Sequence, residues 1–249
     1  MTLLLEVKFG SQVYGTSTPD SDIDIGRVLL EPRQFIYGIQ HLSNKSNTIA
    51  QTVEGETDTK EMYLRRFVML CAQGNPNTLE WLYTPANHIT YIDERFKRYI
   101  WDNVGILLNK DKLVASHLGF AKSQVIRMRQ HESKMGAKRK KLYAQYGYDV
   151  KFANHAMRLM FQLRDLLKTG SIILPYGEVE TEMMVRIKTG QWTLEQFDEF
   201  YANYHACIKG MINNWDSPLP AETNYDKIAE TLESFYMEAY HPGVKVYLL

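Results

Sequence analysis

An alternation of acidic and β-branched residues at positions 22–25 constrains this chain more than any other feature of its sequence. Asp22 and Asp24 flank Ile23, and Ile25 follows. Because side chains alternate between the two faces of a strand, both carboxylates lie on one face and both isoleucines on the other. Two carboxylates that close repel each other, and burying either of them alone is costly. The pattern therefore predicts a strand whose acidic face holds a cation, and hard carboxylate oxygens favour Mg²⁺.

The residues before this strand add a second constraint. Gly10-Ser11 opens a short predicted helix that ends near Thr16, and the chain then turns before Ser21. Backbone N–H groups at such a turn and at the start of a helix can bind phosphate oxygens. A phosphate-binding turn near carboxylates that hold a cation indicates a phosphoryl-transfer site.

These motifs resemble those of a known superfamily. Gly-Ser, a spacer and Asp-x-Asp on a strand form the signature of the DNA polymerase β-type nucleotidyltransferases. One branch, associated with RNA repair, is similar in more detail, and the resemblance runs from Gly10 to about Trp192. The matching segments are Gly10-Ser11-x-x-Tyr14-Gly15-Thr16, Ser21-Asp22-Ile23-Asp24, Gly74-Asn75-Pro76-Asn77 with Leu79-Glu80, and Tyr146-Gly147-Tyr148-Asp149 with Lys151, His155 and Arg158.

The resemblance implies a fold and an activity. The implied fold is α+β, with a small mixed β-sheet nucleotidyltransferase core and flanking helices followed by an all-α C-terminal domain. The implied enzyme moves a nucleoside monophosphate from a nucleoside triphosphate, such as ATP, to an acceptor hydroxyl and releases pyrophosphate. Mg²⁺, or Mn²⁺ in its place, is the implied cofactor. The link to RNA repair makes an RNA 3′-end of the tRNA-like kind the expected acceptor.

The resemblance also implies roles for individual residues. Asp22 and Asp24 are expected to bind metal and to be catalytic, together with a third carboxylate from a neighbouring strand. Three acids lie on the hairpin predicted around Gly55, and spacing alone does not choose among Glu54, Glu56 and Asp58. The family pattern favours Asp58. The residues expected to bind the nucleotide in the first motif are Gly10, Ser11, Tyr14 and Thr16.

Cationic side chains on two predicted helices are further candidates for nucleotide binding. Lys151, His155 and Arg158 fall at i, i+4 and i+7 of a helix predicted over 150–169, so they share one face. Three such groups suit a triphosphate, which an arginine binds in bidentate fashion. Arg127 and Arg129 lie on or beside the apolar stripe of a helix predicted over 113–134. A solvated helix surface and a satisfied core histidine would give the same pattern.

Charge is unevenly distributed although its sum is zero. Residues 119–168 contain twelve Lys or Arg against three acids, whereas residues 190–249 contain nine acids against three basic residues. A basic middle indicates a partner rich in phosphate, such as RNA or a nucleoside triphosphate. A solvated helical surface is the alternative interpretation.

The remaining composition predicts an ordinary globular protein with two domains. The mixed pattern gives way to helices near Lys110, which predicts a catalytic domain over residues 1–110 and a helical nucleotide- or acceptor-binding domain over 111–249. Two cysteines suit a reducing cytoplasm, and neither has a metal-ligand spacing. No apolar run has the length of a membrane span, so we expect no membrane partner.

Three other functions remain open from the sequence. The acceptor could be a protein or a small hydroxyl compound instead of RNA. The chain could also be a non-catalytic module that binds nucleotides or RNA, although all three predicted carboxylates are present. The third alternative is a structural helical protein in which Asp-x-Asp occurs by chance.

Overall fold

The computed structural model describes residues 1–17, 21–37, 50–55, 57–130, 137–241 and 243. The chain divides into two compact units. Met1–Asn109 and Pro220–Leu249 form the first unit, and Lys110–Leu219 form the second. Residues 220–249 were predicted to lie in the helical domain, and they group with the first unit instead.

A five-stranded mixed sheet forms the centre of the first unit. Its strands are β1 (Leu3–Phe9), β2 (Ile23–Leu29), β3 (Ala50–Glu54), β4 (Thr57–Tyr63) and β5 (Ile89–Ile92), in the order β3-β4-β2-β1-β5. The β2–β4 pair is parallel and the other pairs are antiparallel. The mixed sheet with its flanking helices confirms the predicted α+β class. The β3–β4 hairpin also forms as predicted, although Glu56 lies outside the described residues.

Aromatic packing on one face of the sheet explains why β2 contains a glycine. A Cβ atom built on Gly26 would lie 2.6 Å from the Trp81 ring. Trp81 is 1 % exposed and stacks on Phe67, with ring centroids 5.8 Å apart. The ring of Phe9, at the end of β1, lies 5.5 Å from the same tryptophan. This close-packed face fixes the strands that carry the predicted site residues.

The helices of the first unit are mostly short. They are α1 (Ser11–Tyr14), α2 (Arg33–Tyr37), α3 (Leu64–Ala72), α4 (Pro76–Leu79), α5 (Glu94–Tyr99) and α11 (Tyr225–Tyr240), with 3₁₀ turns at Glu80–Tyr83, Ala86–His88 and Trp101–Leu107. A corner separates α3 from α4, and Asn75 caps α4 by accepting a hydrogen bond from the Asn77 N–H at 3.0 Å. Pro76 occupies the first turn, where no N–H is needed.

Helix α11 belongs to the first unit because of polar contacts that connect distant parts of the chain. Glu31 is 2 % exposed, and its carboxylate accepts hydrogen bonds from the Tyr236 hydroxyl at 2.8 Å and from the Arg65 N–H at 2.7 Å. Glu238 accepts hydrogen bonds from Arg98 at 2.7 Å and from the Tyr99 hydroxyl at 3.0 Å. These contacts account for the difference from the predicted domain assignment.

The second unit is helical. It contains α6 (Lys110–Arg129), α7 (Ala137–Tyr146), α8 (Val150–Thr169), α9 (Glu178–Lys188) and α10 (Leu194–Asn214). Helix α8 is largely buried and has the predicted bounds, and Asp149 caps its start by accepting a hydrogen bond from the Lys151 N–H at 3.0 Å. Gly170 ends it in a left-handed conformation with φ 70°. Within the described ranges, no helix combines the length and apolar character that a membrane span requires.

Candidate active site

The register of two parallel strands places two of the predicted acids side by side. Asp24 on β2 pairs with Asp58 on β4. Paired residues of neighbouring strands point to the same face of a sheet, at the spacing of adjacent strands. Asp22 lies one residue before β2 and two residues before Asp24. The structure therefore brings the favoured third carboxylate, Asp58, next to the Asp-x-Asp pair.

The electrostatics of Asp24 reflect this crowding. The pKa of Asp24 is raised to about 6, mainly by burial. The Lys60 ammonium group opposes this shift, and the neighbouring carboxylates of Asp58, Asp22 and Glu80 contribute to it. Each of these carboxylates lies close enough to Asp24 to make its charged form less stable. A bound cation would reverse this effect, because it favours the ionised carboxylate.

Gly10 contacts the acidic face through its backbone. Its φ of 73° and ψ of −148° are accessible almost only to glycine. A Cβ atom at this position would lie 2.2 Å from Asp24 Oδ2. The turn predicted to bind phosphate therefore starts directly beside the Asp24 carboxylate, and Ser11 follows as the first residue of α1.

Tyr14 and Thr16, predicted to bind the nucleotide, are buried in the same turn. The Tyr14 hydroxyl donates a hydrogen bond of 2.6 Å to Glu80 Oε2. Glu80 is 4 % exposed and contributes to the raised pKa of Asp24. Tyr14 thus connects the turn to a buried acid, which is a positioning contact and not an open nucleotide-binding surface.

The other candidates for the third carboxylate are placed less favourably. Glu54 pairs with Thr57 at the end of the hairpin, on a strand that is not a neighbour of β2, and it is exposed. Glu56 lies outside the described residues. Asp58 itself accepts two hydrogen bonds from Gln51 Nε2, at 3.0 and 2.7 Å. Register therefore favours Asp58 on structural grounds that are independent of the family pattern.

The acids fit a divalent cation by their chemistry, although they do not form a preassembled metal centre. Among the residues that the structure describes, no three His, Cys, Asp or Glu side chains are gathered as a metal cluster. The carboxylates are hard oxygen donors on one face of the sheet, which suits Mg²⁺ or Mn²⁺. Mutual repulsion and the Gln51 contact account for their separation, and a cation would offset the repulsion.

Lys60 and Glu80 are site residues that the sequence analysis did not propose. Lys60 lies two residues after Asp58 on β4, and its Nζ lies 5.0 Å from the centre of the Phe9 ring. The period of two along a strand would have found Lys60 on the face of Asp58. Glu80 was visible only as a member of the matched Leu79-Glu80 pair, and its burial is not evident from sequence.

The predicted cationic residues all lie in the second unit. Arg158 is 5 % exposed and makes a short hydrogen bond with the half-buried His155 imidazole, while Lys151 is exposed one turn earlier. Arg127 stacks on Phe152 at 4.6 Å from its ring centre. Arg129 is paired with Asp198. The predicted face of α8 is thus present, and Arg129 is already engaged by an acid.

His117 is a buried group near Arg158 that the sequence did not single out. Its Nδ1 lies 2.8 Å from the Leu113 carbonyl oxygen, in the preceding turn of α6. Burial lowers the pKa of His117 to about 4, the Leu113 contact opposes this shift, and the Arg158 charge adds to it. His117 therefore stays neutral at physiological pH.

The chain is similar in sequence to a phage protein. A protein of Enterobacteria phage T4, named "Uncharacterized 38.9 kDa protein in nrdC-mobD intergenic region", is 31% identical over 149 residues. The match covers 58% of this chain and 42% of the phage protein, so the chain spans less than half of that relative.

A solved structure is also similar at a low level. The nucleotidyltransferase-like protein from Exiguobacterium sibiricum 255-15 matches with 10% identity and a TM-score of 0.29, over 100% of this chain and 77% of that one. The sequence model of the RlaP family, by contrast, matches residues 1–201, which include every residue of the candidate site. The chain belongs to this RNA repair pathway DNA polymerase beta family.

Proposed function

We propose that this chain transfers a nucleoside monophosphate from a nucleoside triphosphate to the 3′-hydroxyl of an RNA. The observation that carries the proposal is the register pairing of Asp24 with Asp58, with the Gly10 backbone against the Asp24 carboxylate. The polymerase β-type family supports nucleotidyl transfer in general. The basic middle of the chain supports a partner rich in phosphate.

The reaction has a simple balance of bonds. The acceptor oxygen forms a bond to the α-phosphorus, and the bond from that phosphorus to the bridging oxygen of the β-phosphate breaks. Pyrophosphate leaves, and Asp58, beside Asp24, takes up the proton of the acceptor hydroxyl. The Gly10-Ser11 turn binds the phosphates of the donor. Most of the rate enhancement then comes from positioning of the reactants and from electrostatic stabilisation of the transition state.

Asp22, Asp24 and Asp58 would hold Mg²⁺ or Mn²⁺. When bound, the cation supplies positive charge to phosphoryl oxygens and to the attacking and leaving oxygens. Lys60 offsets part of the remaining charge on the carboxylates, which follows from its lowering of the Asp24 pKa. Tyr14 positions the phosphate-binding turn through its hydrogen bond to Glu80.

The cationic residues of the second unit bind phosphate groups. Lys151 is exposed, and His155 fixes the orientation of the Arg158 guanidinium group through their contact. Arg127 is held over the Phe152 ring, so its charged group is positioned for a phosphate. Arg129 must leave Asp198 before it can take part, so its contribution is the smallest of these.

The test is a transfer assay with each labelled nucleoside triphosphate, Mg²⁺ or Mn²⁺, and three acceptors. The acceptors are an RNA with a free 3′-hydroxyl, the same RNA with a blocked 3′-end, and a protein mixture. We expect label only on the free RNA end. Asp22→Asn and Asp24→Asn should each reduce transfer by roughly 100-fold or more, because they weaken the anionic face.

Asp111→Asn is the matched control, since Asp111 is an exposed acid in the first turn of α6. This variant should transfer at the wild-type rate. If the label appeared on protein and not on RNA, the acceptor would be a protein. Full transfer by both the Asp22 and the Asp24 variants would remove the proposed site, and binding of nucleotide without any pyrophosphate release would indicate a non-catalytic module.

A further inference from the structure

The second unit contains a cavity that the proposed transfer site does not use. It has a volume of about 400 Å³ and lies between the end of α9 and the first half of α10. It is lined by Arg186, Gln191, Trp192, Gln196, Glu199, Phe200 and Asn203. Aromatic rings form one part of the wall, while amide and charged groups form the other. Cavities of this size and mixed lining are typical of small-molecule sites.

The aromatic wall is held in place by a contact between its two rings and by a hydrogen bond to Tyr148. Trp192 and Phe200 meet at 5.1 Å between ring centroids, with their planes 70° apart. The carbonyl oxygen of Trp192 accepts a hydrogen bond of 2.9 Å from the hydroxyl of Tyr148, whose side chain is 0 % exposed overall. This bond connects Trp192 to the core of the unit, so the wall is preorganised before any ligand binds.

The turn that carries Trp192 can be made only by glycine at position 190. Gly190 has φ 68°, and a Cβ atom there would lie 2.1 Å from the Tyr146 ring. On the other side of Trp192, Thr193 and Gln196 form a capping box at the start of α10, with bonds of 2.9 and 3.3 Å. Both ends of the turn are therefore fixed, and the side chain of Gln196 is engaged in the capping box.

Three polar side chains of the cavity are not used by the fold. Within the described part of the chain, no protein group hydrogen-bonds or pairs with the side chain of Gln191, Glu199 or Asn203. Glu199 and Asn203 are one turn apart on α10, so they face the same side. Arg186 forms a distant ion pair with Glu182, at 4.0 Å. These groups are free to hydrogen-bond a ligand that stacks on the aromatic wall.

A nucleobase matches this combination. Every base has a flat face that stacks on aromatic side chains, and its edge carries hydrogen-bond donors and acceptors that amides and carboxylates recognise. A carboxylate only accepts hydrogen bonds. Among the four bases, guanine offers two adjacent donors, N1–H and the N2 amino group, on its Watson–Crick edge. Glu199 therefore favours guanine.

The charge around the cavity favours recognition of a base over a run of phosphates. Glu195 and Glu199 lie in the first two turns of α10, whereas Arg186 is the cation of the lining. Repulsion between these acids and a phosphate backbone limits the number of phosphates that can approach. Binding at this cavity should therefore depend only weakly on salt.

We infer that this cavity binds one unpaired guanine base, stacked on Trp192 and hydrogen-bonded by Glu199 and Asn203. The inference rests on the proposed function for the source of the base, which is an RNA acceptor. A free guanine nucleotide presents the same base, and the experiment below distinguishes the two sources.

The test measures equilibrium binding to the full chain by calorimetry. The probes are guanosine monophosphate, adenosine monophosphate, a uridine hexamer, and the same hexamer with one internal guanosine. We expect the guanosine-containing hexamer to bind at least tenfold more tightly than the plain hexamer. Tighter binding of the hexamer than of the free nucleotide identifies RNA as the source, and equal binding identifies the nucleotide; both results support a guanine site.

Two variants and a control locate the binding in this cavity. Trp192→Leu should weaken binding of the guanosine-containing hexamer at least tenfold. Trp215→Leu removes an exposed tryptophan at the end of the same helix and should change binding by less than twofold. Glu199→Gln should abolish the preference for guanine over adenine, because an amide also donates hydrogen bonds. A purely structural role for Glu199 would not change base preference.

The inference is overturned if Trp192→Leu and Glu199→Gln both bind every probe as the wild type does, or if no probe shows guanine-dependent binding. Its failure can be told apart from failure of the proposed function. If the chain transfers to RNA but shows no guanine-dependent binding, the guanine site is disproved and the transferase function is not. If the chain transfers nothing but binds guanine, and Trp192→Leu loses that binding, the guanine site is supported and the transferase function is disproved.

Discussion

At the scale of single residues, Gly10 is the position where the site tolerates least change. Gly10→Ala adds a methyl group where only 2.2 Å separates it from Asp24 Oδ2, at a φ of 73° that favours glycine. We expect a loss of about 1–3 kcal/mol of unfolding free energy from the backbone strain. Transfer should fall by roughly 100-fold, because the methyl group displaces the Asp24 carboxylate.

Gly55→Ala separates these two effects. Gly55 also has a positive φ, of 62°, but nothing lies within 4 Å of a Cβ atom built there. Chemical denaturation should show a comparable loss of stability in both variants, whereas the transfer assay should show a defect only in Gly10→Ala. Equal activity of the two variants would mean that the Gly10 turn is not part of the site.

The same residues indicate how much of the site could be predicted. Asp22 and Asp24 were predicted from a local alternation, and Asp24 lies on β2 while Asp22 lies one residue before it. The role of Asp58 could be predicted only with the family pattern, because the spacing of residues within one segment does not show which strands pair. Glu80 reaches the site through Tyr14, 66 residues away in sequence, and local patterns carry no information on such a contact.

At the scale of elements, the α6–α8 pair contains a buried histidine that should make stability depend on pH. The folded-state pKa of His117 is about 4, below the value of 6.5 for an unperturbed histidine. The unfolded chain therefore binds a proton first as pH falls. The stabilising contribution of neutral His117 is complete above pH 6.5 and is lost progressively between pH 6.5 and 4, by at most about 3 kcal/mol.

His117→Gln removes the titrating group, so the difference in unfolding free energy between wild type and variant should change with pH in this window. His88→Gln in the first unit, at a half-exposed 3₁₀ turn, is the control. Hydrogen exchange of α6 and α8 amides at pH 7.5 and 5 would report the effect locally. Parallel pH profiles of the wild type and His117→Gln would contradict the prediction.

The helix predicted over 150–169 was placed well, because residues at both of its ends satisfy backbone groups of the helix through local bonds. Asp149 caps α8 at its start, and Gly170 ends it. The start of α6 was predicted less well. The helix begins at Lys110 instead of 113, since its first turn is polar. It is described as far as Arg129, and residues 131–134 of the predicted helix lie outside the described residues.

At the scale of the whole molecule, Glu31 makes the first unit depend on the C-terminal helix. Tyr236→Phe removes the 2.8 Å hydrogen bond to a carboxylate that is 2 % exposed. We expect this change to lower the unfolding free energy by about 1–3 kcal/mol, because the buried acid loses a donor. Tyr91→Phe, on the exposed part of β5, should change it by less than about 0.5 kcal/mol.

Denaturant titration of the two variants checks this prediction, with circular dichroism to monitor the β-sheet unit. The placement of α11 could not be predicted from sequence, because Tyr236 and Glu31 are 205 residues apart. An amphipathic helix that follows other helices looks like a continuation of them. Only its tertiary contacts assign it to the sheet.

The division of the chain also has a consequence for how it is synthesised. Residues 110–219 are made after most of the first unit and before its last segment. During synthesis, Glu31 can accept its hydrogen bond from Tyr236 only after residues 110–219 have been made. All of residues 110–219, in contrast, are present once Leu219 has been added. We therefore expect the helical insert to fold before the β-sheet unit is complete.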